Sequence, residues 1–208
     1  MAMIKKLLQG YKEFKKESLK DGASDPFKDL KNSQSPKTLV IGCSDSRVDP
    51  AIITKADVGD IFMIRNIANI VPPYEEDWKS YHGTSSAIEY AVTVLKVHDI
   101  VIMGHSNCGG IRALVDKQLE MTDKPSFIRS WINIMKDVRD NLKTNDKETK
   151  YCSCEKAGIK KSIENLMTFP FVKDAVENGE LKLNGWYFNI GDASLSTLDK
   201  ETGNFEKV

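Results

Sequence analysis

The sequence predicts an α/β fold: a mainly parallel central sheet flanked by helices, with an N-terminal helical arm. Three observations lead there. Two apolar runs rich in β-branched residues, Leu39-Val40-Ile41 and Ile100-Val101-Ile102, read as parallel strands buried on both faces. Stretches with apolar residues at three- and four-residue spacing lie between and after them, so strand and helix alternate. Each run also leads through a glycine into a cluster of sulfur, imidazole or carboxylate side chains, and open α/β sheets gather their sites just past such strand ends.

The elements follow in order. Residues 1–20 read as an amphipathic helix, with Ile4, Leu7, Leu8, Tyr11 and Phe14 on one stripe and lysines on the other faces. A lone helix of this length is marginal in water, so the stripe needs a surface, either on its own domain or on a partner subunit. Asp21-Gly22-Ala23-Ser24-Asp25-Pro26 is a loop with two breakers, and residues 27–32 form a short helical turn that Pro36 ends. Residues 38–42 are the first central strand. Asp49-Pro50 is an N-cap and first-turn pair that opens a short helix within 48–56. Residues 60–66 form a second buried strand, and 67–81, with Pro72-Pro73 and Trp78, a long connection of the length that usually carries function.

The clearest helix is 84–98, with Ala87, Ile88, Ala91, Val94, Leu95 and His98 on one face and Gly83 before its cap. Residues 99–104 are the third strand, and 109–119 a helix whose first amides point back at the second ligand cluster. Lys124-Pro125 opens a helix through Trp131, Ile134, Met135 and Val138, and 141–149 is a polar loop. Helices over 151–167 and 170–176, a turn at Asn178-Gly179, a strand over 181–190 and a weaker strand over 193–199 complete the chain, the last two joined by a turn at Gly191-Asp192. The expected division is an arm, residues 1–30, and a single α/β domain, residues 31–208.

Composition narrows the function classes. Lysine plus arginine and aspartate plus glutamate are 30 each, so the chain lacks the basic excess expected of a nucleic-acid binder. No apolar run approaches the roughly 20 residues of a membrane span, and the basic N-terminus carries Glu13 and Glu17 with no long apolar stretch, so neither membrane nor secretory signal is expected. Four cysteines, two of them close to histidine or aspartate, fit metal binding in a reducing, cytoplasmic setting better than a disulfide framework.

Cys43 arrives at the end of one strand, and His105-x-x-Cys108 at the end of another. Zinc takes thiolate sulfur and imidazole nitrogen and favours four ligands, so these three leave one position open, as catalytic sites do. Two other readings stay open: Cys152 or Cys154 closes a structural site, or the cysteines are buried small hydrophobes. Two thiolates cancel the charge of zinc and weaken its acidity, so a catalytic site needs help from a neighbour. Asp45 and Arg47 supply it as a pair: the guanidinium keeps the carboxylate ionised and fixed, and the carboxylate aims water at a substrate. The bland alternative is an ion pair that closes the loop.

These residues resemble the β-class carbonic anhydrases. Cys43-Ser44-Asp45-Ser46-Arg47 and the run from Gly104-His105-Ser106 to Cys108-Gly109-Gly110 are similar to that family's two signatures, and Arg65-Asn66-Ile67-Ala68-Asn69 to a third, closest to plant-type members. The resemblance spans roughly 30–200 and implies one Zn2+ per chain held by Cys43, His105 and Cys108. It implies reversible hydration of CO2 to bicarbonate by a zinc-bound hydroxide that Asp45 and Arg47 orient. It implies a homodimer or a multiple of dimers, with the arm laid across a neighbouring subunit. It places Gln34, Phe62, Ile67 and Tyr90, with Gly109 beside the metal, in the substrate pocket.

Two departures carry expectations. Val40 and Phe188 stand where the bicarbonate-regulated bacterial subgroup carries tryptophan and tyrosine, so no bicarbonate-locked state is expected. Val94 stands where some plant relatives carry histidine, which leaves the proton route unassigned. The rival functions are hydrolysis of CS2 or carbonyl sulfide on the same scaffold and a non-enzymatic zinc-stabilised module.

Overall fold

Among the described residues six strands pair into one sheet: β1 (Thr38–Cys43), β2 (Ile61–Asn66), β3 (Asp99–His105), β4 (Lys182–Asn189), β5 (Ser194–Leu198) and β6 (Phe205–Lys207). The structure is a computed structural model and describes residues 2–18, 27–28, 30–77, 79–118, 125–144 and 146–208. The order across the sheet is β2-β1-β3-β4-β5-β6. The first four of these run parallel, and β5 and β6 return antiparallel at one edge. The mainly parallel sheet read from the sequence is therefore present.

β1 and β3 are central, buried along nearly their whole length, which is why their sequences are apolar without alternation. Successive side chains still point to opposite faces. Leu39, Ile41, Ile100 and Ile102 pack on one side with Ile88, Ile159, Leu166 and Phe169. Val40, Val101 and Met103 pack on the other with Ile53, Trp186 and Phe188. β2, expected to be buried, is instead a half-buried edge strand with β1 as its one partner in the sheet. β6 was not foreseen: three residues, two of them charged, carry no periodic signal.

Eight α-helices accompany the sheet among the described residues: α1 (Met3–Ser18), α2 (Pro50–Thr54), α3 (Gly83–Glu89), α4 (Gly109–Val115), α5 (Phe127–Ile132), α6 (Lys136–Asp140), α7 (Lys147–Leu166) and α8 (Pro170–Glu177). The Asp49-Pro50 start is as read: the Asp49 carboxylate accepts from the Ala51 amide, with Pro50 in the first turn. α7 lies over β3 and β4, where two glycines admit it. A Cβ on Gly104 would come within 2.8 Å of the Ile159 side chain, and one on Gly185 within 3.0 Å.

Several boundaries differ from the expectation. The helix read over 84–98 starts at Gly83, with His82 in the cap position, and its α geometry stops at Glu89. A π turn, Tyr90–Val94, follows, in which the Leu95 amide donates to the Tyr90 carbonyl at 3.0 Å. Lys96, at φ +55°, then turns the chain out of the helix. The helix expected from 124 starts at Phe127, where the Ser126 hydroxyl accepts from the Arg129 amide. It is continued by a 3-10 turn, Asn133–Met135, and α6. Residues 147–149, read as loop, are the first turn of α7, capped by Asp146. Of the range read as a helical turn, residues 27, 28 and 30 are turn and 31–32 a bend, with no helix among the described residues. The loop read at 21–26, Trp78, and the ends read at 19–20, 119 and 124 lie outside the described residues.

α1 buries none of its side chains. Ile4 and Leu7 are 67% and 62% exposed, and Leu8, Tyr11 and Phe14 are exposed with them. Phe14 makes an edge contact with Phe27 at 6.0 Å, and the stripe is otherwise exposed among the described residues. No helix among the described residues is long and apolar enough to cross a membrane.

Candidate metal centre

β1 and β3 are parallel neighbours, with Gly42 opposite Met103, so their C-terminal ends deliver Cys43 and His105 side by side. The chain turns back through Ser106 and Asn107, the latter at φ +58°, and Cys108 becomes the residue that opens α4. A glycine is needed two residues on: a Cβ on Gly110 would meet Ile67 Cγ2 at 2.8 Å. The ligand atoms of Cys43, His105 and Cys108 all lie within 4.8 Å of one another, and all three residues are buried. The two sulfurs are 3.9 Å apart and unbonded.

The histidine is oriented. Its Nδ1–H donates to the Ser106 carbonyl at 2.9 Å, which leaves Nε2 as the lone-pair nitrogen. Nε2 is buried with no hydrogen-bond partner, in a residue only 1% exposed. It faces Cys43 and lies 3.9 Å from Asp45 Oδ2. A buried acceptor left without a proton is costly in an apolar interior and well placed on a cation. Two zinc–sulfur bonds of about 2.3 Å at the tetrahedral angle would set the sulfurs about 3.8 Å apart. Donor chemistry and spacing both fit zinc.

One hydrogen bond joins the two thiols. The Cys108 thiol hydrogen-bonds to Cys43 and, against the effect of burial, brings the Cys43 pKa down, helped by His105 and by the amides of Asp45 and Ala68. The same bond, with burial, pushes Cys108 up, although the Gly110 and Ile111 amides face its sulfur. Burial pulls the His105 pKa down, but the negative Cys43 and the Ser106 carbonyl outweigh it, and the net direction is up.

Asp45 and Arg47 form a forked pair. Arg47 Nε donates to Oδ1 at 2.9 Å, its terminal nitrogen to Oδ2 at 2.6 Å, and its amide to Oδ1 at 3.0 Å. Those bonds hold the carboxyl well below the usual carboxylate range, so Asp45 is an acceptor only. The other pocket residues divide. Ile67 and Ser44 border a cavity of about 820 Å³ lined also by Asn66, Tyr81, Ile128 and Trp131, and Trp131 Nε1 donates to the Ile67 carbonyl. Gly109 directly follows Cys108 and has open space where a Cβ would stand. Phe62 and Tyr90 pack on each other, centroids 5.9 Å apart. Phe62 pairs with Leu39 whereas Cys43 pairs with Asn66, which separates the ring from the cysteine by roughly 13 Å along the strand. Gln34 is exposed on the segment before β1. Within one chain Phe62, and Tyr90 packed on it, stand apart from the trio.

Cys152 and Cys154 do not join the trio either. Cys154 is buried in the apolar cluster around it, and Cys152 accepts from the Tyr187 hydroxyl at 3.7 Å. Two residues that bind the ligand segments were given no role by the sequence. Arg65 binds the Cys43 loop from β2, and Glu155 on α7 accepts from the Cys108 amide at 3.1 Å. Arg65 stood in the third signature without a role. Glu155 follows Cys154 in a lysine-rich helix and looks like any solvated acid until the fold buries it.

Residues 38–195 match the family described as "Carbonic anhydrase". The chain is 41% identical over 177 residues to mitochondrial β carbonic anhydrase 6 of Arabidopsis thaliana, a match covering 82% of this chain and 59% of that protein. It therefore spans a little over half of that relative's length. The β-carbonic anhydrase CcaA superposes with a TM-score of 0.90 at 31% identity over all of both chains. A tetrameric β-carbonic anhydrase from Sordaria macrospora superposes with a TM-score of 0.73 at 31% identity, over 93% of this chain and 92% of its own.

Proposed function

This chain belongs to the β-class carbonic anhydrase family, and from that premise we propose that it catalyses the reversible hydration of CO2 to bicarbonate and a proton with one zinc ion per chain. The observation that carries the reading is the unpartnered, buried Nε2 of His105 facing two thiols 3.9 Å apart, with Asp45 beside it. Cys43, His105 and Cys108 would hold the metal. Zinc, when bound, supplies the Lewis acidity that makes water a nucleophile near neutral pH, chemistry for which carbonic anhydrase is itself the reference example.

The chain's own residues do the rest. Arg47 fixes both oxygens of Asp45, so the carboxylate has one orientation and no proton to donate. Asp45 accepts a hydrogen bond from the attacking water and directs its lone pair at the carbon of CO2. Ile67 gives a nonpolar gas an apolar wall, and Gly109 leaves room for it. Phe62 and Tyr90, set apart from the trio in their own chain, reach such a pocket from a second copy, and Gln34 joins them there. That placement, the uncovered stripe of α1 and the tetrameric relative support a homodimer or a multiple of dimers, with residues 1–30 as an arm on residues 31–208. Four unpaired thiols support a reducing, cytoplasmic setting.

The test is stopped-flow CO2 hydration before chelation, after it, and after zinc is restored. Activity that vanishes with the metal and returns with it is expected. Zinc-loaded protein that leaves CO2 untouched but hydrolyses carbonyl sulfide would overturn the assignment.

A further inference from the structure

We propose that Glu155 is a positioning residue for the metal centre, acting through the single peptide unit that joins Asn107 to Cys108, and that Tyr187 holds it there. The proposal rests on zinc at the trio and is independent of which substrate the metal serves.

The peptide is gripped at both ends. Its N–H, that of Cys108, donates to Glu155 Oε1 at 3.1 Å. Its carbonyl, that of Asn107, accepts from the Arg47 guanidinium at 3.1 Å. The second oxygen of Glu155 accepts from the Tyr187 hydroxyl at 2.8 Å. One chain of bonds thus runs from β4 through α7 to the Cys108 peptide, then to Arg47, and ends on Asp45 at 2.6 Å. The same small plane sets the Cys108 sulfur and the Arg47–Asp45 pair.

The cost of this carboxylate argues for a use. Glu155 is 4% exposed, and among the described residues no lysine or arginine forms an ion pair with it. A buried carboxylate without a cation is expensive, and an apolar side chain among Cys154, Gly158 and Ile159 would avoid that expense. Cys108, for its part, stands at the cap position of α4, where its amide lies outside the helix's own hydrogen-bond ladder and needs an acceptor from elsewhere. Asn107 is held at φ +58°, a conformation that needs outside support. Glu155 answers both needs.

The experiment compares zinc loss to an excess of a strong chelator in the parent chain, Glu155→Ala, Glu155→Gln and Tyr187→Phe. Loss from Glu155→Ala is expected to be about 10- to 100-fold faster, the usual cost of removing a group behind a metal ligand. Glu155→Gln, which keeps an oxygen for the Cys108 amide, should stay within about threefold of the parent, and Tyr187→Phe should fall between. In the cobalt-substituted forms, the thiolate-to-cobalt absorption should shift in Glu155→Ala and not in Glu155→Gln, which a general loss of stability would not do. Zinc loss from Glu155→Ala at the parent rate, or glutamine as fast as alanine, overturns the proposal. If the alanine variant fails to fold, an unchanged rate in Tyr187→Phe overturns it. A parent that holds zinc but does not hydrate CO2 sinks the functional reading and leaves this one standing.

Discussion

The guanidinium of Arg65 on β2 donates to the carbonyl of Cys43 on β1 at 2.9 Å, and so fastens a ligand from the strand next door. It also donates to the carbonyls of Asp45 at 2.7 Å and Val48 at 2.8 Å, and to the carboxylate of Asp49 at 3.0 Å. The loop that carries Cys43, Asp45 and Arg47 is wound around one side chain. Replacing Arg65 with alanine takes this donor from the Cys43 and Val48 carbonyls, while the Asp45 carbonyl keeps the Val48 amide and the Asp49 carboxylate keeps the Ala51 amide. The expected cost is about 2–4 kcal/mol, given roughly 1 kcal/mol or more for each partly buried group left unpaired. Urea unfolding of the zinc-loaded protein measures it, and lysine, a point donor, should recover less than half.

Asp45→Asn separates steering from anchoring. Asn presents an amide where Arg47 now finds a second carboxylate oxygen, so the fork is halved and the group is no longer an acceptor only. Zinc content should match the parent, because no ligand has changed. CO2 hydration should fall by about 100-fold or more, the scale of a misplaced proton acceptor. A variant with the parent's rate would leave Asp45–Arg47 as a loop-closing pair.

What the sequence disclosed follows how far each interaction reaches along the chain. β1 and β3 were legible because a strand buried on both faces has no polar alternation to mask it. The Asp49 cap was legible because donor and acceptor are two residues apart. The π turn at Tyr90 was not, since the apolar spacing over 84–98 continues through it and the break at Lys96 is a backbone event. The bonds of Arg65 and Glu155 span 22 and 47 residues, a distance over which pattern carries no information. The family resemblance named Phe62 and Tyr90 as pocket residues, and only the strand register shows that they stand apart from the trio in their own chain.

Deleting α1 tests the assembly. Five apolar side chains lie along its exposed stripe, Ile4, Leu7, Leu8, Tyr11 and Phe14, and each is worth about 1.5–3 kcal/mol when fully covered. If a neighbouring copy covers even one, its loss weakens association by about tenfold or more. Light scattering over a dilution series should show the truncated protein dissociating at higher concentration than the parent. Identical mass at every dilution would place the arm off the interface.

The joint between α4 and α7 has a pH dependence whose sign is fixed by one carboxylate. Asp116 ends α4, and the Tyr151 hydroxyl on α7 donates to its two oxygens at 2.7 and 2.8 Å. Lys147 adds a weaker contact at 3.2 Å. The Tyr151 hydroxyl first, against an opposing effect of burial, and then Lys147 lower the Asp116 pKa beneath its ordinary 3.8. A carboxylate whose pKa is depressed on folding releases protons as the chain folds. Its stabilisation is therefore complete above pH 3.8 and fades as the pH falls below that value toward the folded-state pKa. Tyr151→Phe removes the main cause and should cost about 1–2 kcal/mol near neutral pH, one hydrogen bond to a charged group. Urea midpoints of parent and variant should keep a constant gap down to about pH 5, and the gap should close below pH 3.8. A gap that widens on acidification would mean that the neutral acid, not the carboxylate, is the form that holds the two helices together.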